Sequence, residues 1–73
     1  MNSEHYDHDL LTTLRKQAGL TQEEVAAQAG VKRLTIIRAE SGTSASYDLL
    51  SKLTGLYGKP VTAILRVGHT VPV

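Results

Sequence analysis

Apolar residues recur at spacings of three and four along most of the chain, and no useful length alternates with period two before the last few residues. The pattern predicts an all-α domain. Leu10, Leu11, Leu14 and Ala18 form one stripe of a first helix that starts near Asp7 and stops at Gly19. Thr21-Gln22-Glu23-Glu24 is a capping box, in which the Thr21 hydroxyl and the Glu24 carboxylate each meet an exposed backbone donor, so a second helix opens there. It carries Val25, Ala26 and Ala29 on one side and ends at Gly30. On a third helix beginning after Val31, Ile36 and Ala39 face inward. Leu34, Ile37, Arg38 and Ser41 then face outward, with Arg33 flanking them near the start. Polar residues 42–45 lead to Ser46, a cap for a fourth helix with Tyr47, Leu50, Leu53 and Tyr57 inward and Gly58 as terminator. Pro60 suits the first turn of a fifth helix holding Val61, Ile64 and Leu65. The reading divides the chain into a flexible acidic arm (residues 1–8), one helical domain (residues 9–66) and a tail (residues 67–73).

Length changes the picture by limiting it: 73 residues make one small core and leave no room for a buried catalytic cavity. The chain has no cysteine, so neither a disulfide framework nor a thiolate metal site supports that core. No run approaches the roughly 18 apolar residues of a membrane span. The start, MNSEHYDHDL, is acidic and polar where a secretory signal is basic and then apolar, which predicts a cytoplasmic protein. A net charge of +1 gives no general vote for a polyanion. Its distribution says more: Glu4, Asp7 and Asp9 make the start acidic, whereas Lys32, Arg33 and Arg38 cluster without an acid among them. Three tyrosines and no Phe or Trp offer few platforms for stacking unpaired bases.

Residues 20–42, LTQEEVAAQAGVKRLTIIRAESG, resemble the helix-turn-helix of the phage repressor and Cro-like family. The likeness rests on Gln22, the small Ala26, Gly30 at the turn, Val31 after it, Ile36 inside, and Glu40 with Gly42 closing the third helix, and it extends over residues 10–65. It implies a five-helix repressor-like domain in which residues 32–39 read the major groove of double-stranded DNA, acting as a homodimer on a palindromic operator. The physical logic agrees, because steeply crossing helices need a small residue at their contact, and a third helix buried on one face protrudes with the other. Carried over position by position, the resemblance implies Arg33, Leu34, Ile37 and Arg38 at or near base edges and Lys32 close to the flanking backbone. It implies that Gln22 holds a phosphate at the positive end of the second helix. Thr43 and Ser44, before the fourth helix, are read as a second phosphate clamp. Arg15 and Glu40 match a structural ion pair of some relatives.

Two positions depart from the family pattern. Lys32 stands where relatives often carry a capping Ser, so the third helix starts without a side-chain cap. Leu34 and Ile37 stand where relatives tend to be polar. As apolar residues they either pack on thymine methyl groups, the reading favoured by the flanking arginines, or bind another protein, as in an antitoxin-like partner with secondary or no DNA binding. His5, His8 and Asp7 lack the partner cluster of a metal site, and no nucleophile and base constellation is present, so no metal, cofactor or enzymatic activity is expected. The apolar stretch of residues 66–73 is read as a loose tail, with a hook or strand onto a second copy as the alternative.

Overall fold

The computed structural model describes residues 6–65, in which four α-helices follow one another: α1 (His8–Gln17), α2 (Gln22–Ala29), α3 (Arg33–Ser41) and α4 (Tyr47–Leu56). Three of the four begin at a side-chain cap. Asp7 accepts from the Leu10 amide at 3.0 Å, and Ser46 accepts from the Leu49 amide at 3.1 Å. Thr21 and Glu24 form the reciprocal box, with Glu24 N–H donating to Thr21 Oγ1 at 3.0 Å and Thr21 N–H to Glu24 Oε1 at 2.8 Å. The N-cap of α3 is Lys32, whose side chain makes no capping bond.

The helices pack α1 on α3, α2 on α3 and α2 on α4 around a core in which Leu11, Val25, Ile36, Leu53, Thr54 and Ile64 are fully buried. Thr54 brings a hydroxyl into that core and donates it back to the Leu50 carbonyl at 3.0 Å, so the group is satisfied within its own helix. Lys52 reaches across from α4 to the Ala29 carbonyl at 3.5 Å, where the end of α2 favours a cation.

Four expectations need correction. The fifth helix is a single 3-10 turn, Val61–Ala63: Pro60 precedes it in an extended conformation, and the chain then turns to bury Ile64 and to pair Leu65 with Tyr6 in an isolated antiparallel bridge. Residues 6–8, assigned to the flexible arm, are built into the fold. Tyr6 is 2% exposed, its hydroxyl donates to Ala39 O at 2.7 Å, and Asp7 N–H donates to Ile64 O at 2.7 Å. Tyr47 is exposed, with Leu49 taking its place in the core, because the first residue after the cap lies at the edge of the packed layer beside exposed Ser46 and Asp48. Ala18 is the exposed C-cap of α1, and the buried stripe ends instead at Leu14 and Arg15. His5 and the tail of residues 66–73 lie outside the described residues. No described helix is long and apolar enough to cross a membrane.

Candidate nucleic-acid interface

The geometry of the α2–α3 unit begins at Gly30. Its φ of 74° is left-handed, and its N–H and that of Val31 turn back onto α2, Val31 donating to Ala26 O at 3.0 Å. A residue with a Cβ is strained in this conformation, which explains glycine at the turn. Val31 is partly buried against the core and Lys32 is extended, so α3 leaves the turn immediately and crosses α2 where Ala26 and Ala29 present little bulk.

α3 is divided sharply. Ile36 and Ala39 have no exposure at all, whereas Leu34 is 51% and Ile37 36% exposed, with Lys32, Arg33 and Arg38 exposed around them. The helix is held at its carboxyl end from outside as well. Tyr6 donates to Ala39 O, and His8 Nδ1 lies 3.1 Å from Glu40 O, a hydrogen bond when that nitrogen carries the proton. Thr43 N–H donates to Arg38 O at 3.1 Å beyond Gly42, whose φ is 82°. Ser41 donates its hydroxyl to Arg38 O at 3.0 Å, so in the 2.8 Å contact between Ser41 and Thr43 the Thr43 hydroxyl is the donor. Ser44, Ser46 and Tyr47 continue this loop as an exposed group. Periodicity alone puts Tyr47 inward, but a residue directly after the Ser46 cap sits at a helix end.

At the carboxyl end of α3 lies a buried charged cluster. Glu40 accepts from Arg15 Nε at 2.6 Å, from Arg15 Nη2 at 3.2 Å and from Gln22 Nε2 at 3.1 Å, while Arg15 Nη1 donates to Leu20 O at 2.9 Å. The Arg15 and Glu40 side chains are only 11% and 6% exposed. The hydrogen bond with Glu40 raises the Arg15 pKa above its ordinary value, outweighing the desolvation that opposes it. Tyr57 packs beside this pair with a buried hydroxyl that has no partner among the described groups. Burial first, and then the charge of Glu40 against that of Arg15, pushes its pKa up to about 12.

Gln22 is therefore engaged on one side by Glu40. On the other it lines an open groove with Arg15, Leu20, Thr21, Glu23 and Arg33, which places the amino end of α2 and the first residue of α3 together. Glu23 puts an acid in this groove, a place that its position inside the capping-box motif does not reveal. Among the described residues, no group of three or more His, Asp or Glu side chains is disposed to hold a metal ion.

A family model described as helix-turn-helix matches residues 11–64, which includes all four helices except the first turn of α1. The chain belongs to the phage repressor and Cro-like helix-turn-helix family. This is a DNA-binding regulatory family, and its defining motif here is α2, the turn at Gly30 and α3. No curated protein matches the chain. In this helix-turn-helix the charged cluster, the small contact residues and the divided faces of α3 serve one arrangement: a helix buried on one side and presented on the other.

Proposed function

We propose that the protein is a cytoplasmic, repressor-like transcriptional regulator that binds a palindromic DNA operator as a homodimer, placing the two copies of α3 in successive major grooves about 34 Å apart. The observation that carries this reading is the outward face of α3, where Arg33, Leu34, Ile37 and Arg38 project from a helix whose opposite face is fully buried. Arginine presents paired donors that match guanine O6 and N7, and aliphatic side chains match thymine methyl groups, so this face suits base reading. Lys32, Gln22, Thr43 and Ser44 would set the register on phosphates.

Selection from a random duplex pool at near-physiological salt tests the reading. A two-fold symmetric motif with half-sites one helical turn apart is the expected result, and retained DNA without any motif would refute sequence-specific reading. On the selected site, Arg38→Ala should cost on the order of 1–3 kcal/mol and relax preference at one base pair, whereas Gln22→Ala should weaken all sequences alike.

The exposure of Leu34 and Ile37 favours a second reading, in which α3 binds a protein partner and DNA binding is secondary or absent. Replacing both with Ser separates the two: loss of DNA discrimination supports the first, and loss of a protein complex with DNA affinity intact supports the second.

A further inference from the structure

We propose that Glu40 is a positioning residue for the phosphate contact of Gln22, an inference that rests on the reading of Gln22 as a phosphate ligand. A carboxylate only accepts hydrogen bonds, so the 3.1 Å contact with Glu40 requires the nitrogen end of the Gln22 amide to face it. A phosphate oxygen also only accepts. Gln22 must therefore offer DNA an N–H and not its carbonyl, and the amide nitrogen carries two hydrogens. Glu40 holds one and leaves the other for the groove that Gln22 lines. Without that partner, the flexible Gln22 side chain would have to be oriented at the moment of binding, a cost that preorganisation removes.

The same cluster solves an electrostatic problem. A bare carboxylate one amide away from a phosphate would repel it, but Arg15 places its guanidinium on Glu40 through Nε at 2.6 Å and Nη2 at 3.2 Å and offsets that charge. Cation, carboxylate, amide and phosphate then alternate in polarity along a single line of contacts. Arg15 also holds Leu20 O at 2.9 Å, next to the Thr21 cap, so the free backbone donors at the amino end of α2 are fixed to the same cluster as the Gln22 amide.

The test is a double-mutant cycle on DNA affinity, measured by fluorescence anisotropy with one fixed duplex at one salt concentration, at a temperature where melting curves show every variant folded. Gln22→Ala is made in the wild type and in Arg15→Met with Glu40→Leu, an apolar pair of similar volume of the kind that often preserves stability. A second background, Glu40→Asp, keeps the charge and withdraws the acceptor by one methylene. Gln22→Ala should weaken binding roughly tenfold in the wild type, the scale of one hydrogen bond to a charged group, and by less than about threefold in either altered background. An equal loss in all backgrounds overturns the proposal and leaves Glu40 a purely structural residue. No loss in the wild type overturns the phosphate reading of Gln22 itself, and the proposal falls with it.

Discussion

Removing Arg15 should be among the most damaging single changes this protein can suffer. Arg15→Met takes away the two guanidinium donors on Glu40, leaving only the Gln22 amide, and also strips Leu20 O of its partner. The Glu40 side chain is 6% exposed, so water has little access to replace them. An uncompensated buried charge of this kind costs about 3–5 kcal/mol. Stabilities run at roughly 0.05–0.15 kcal/mol per residue, so a chain of this length would lose about a quarter or more of its total. The melting temperature should drop on the order of 20 °C. Arg15→Met with Glu40→Leu removes both charges together and should recover most of that loss, because the desolvation penalty disappears with the attraction, leaving only the unpartnered Leu20 carbonyl and Gln22 amide as a residual cost. Urea denaturation of the two single variants and the pair reads both quantities. A single-variant cost under about 1 kcal/mol, or a pair that loses the sum of its singles, would refute the argument that the two charges are buried and coupled.

Further predictions follow from individual groups. Tyr57 has a folded pKa of about 12 against an ordinary 10.0, so the stability tied to its neutral form is intact below pH 10 and is lost as pH rises from 10 to 12, with a loss on the order of 1 kcal/mol reached by pH 11. Tyr57→Phe should shrink that alkaline loss, with Tyr6, whose pKa burial also raises, supplying the remainder; it should hold or raise stability at pH 7, since the hydroxyl has no partner among the described residues. Urea curves at pH 7 and pH 11 decide it, and an undiminished alkaline loss in the variant counts against the assignment. Gly30→Ala should cost about 1–2 kcal/mol through its φ alone, because an added Cβ would meet nothing within 4 Å, and a neutral result in thermal melts would contradict the strain argument. Lys32→Ser should add about 0.5–2 kcal/mol by capping α3 while reducing the slope of DNA affinity against salt by about 1; an unchanged melting temperature would rule out the missing cap as a weakness.

The helix starts were legible in the sequence because caps are local chemistry: Asp7, Thr21 with Glu24, and Ser46 satisfy amides only three residues away. The divided face of α3 was legible for a similar reason, since Ile36 and Ala39 set the azimuth of every other residue on that helix. The family followed from those positions together. Tertiary structure decided what azimuth cannot report. Periodicity gives the side of a helix on which a residue lies but not whether another element covers that end, which is why Tyr47 is exposed and Leu49 is buried. Tyr6 sits among polar neighbours with no helical repeat to mark it, and it enters the core through a hydrogen bond to Ala39 and a bridge to Leu65, both distant in the chain. The partners of Glu40 come from α1 and α2, so residue types could suggest the pair with Arg15, but only the packing of three helices against one another brought Gln22 onto the same carboxylate.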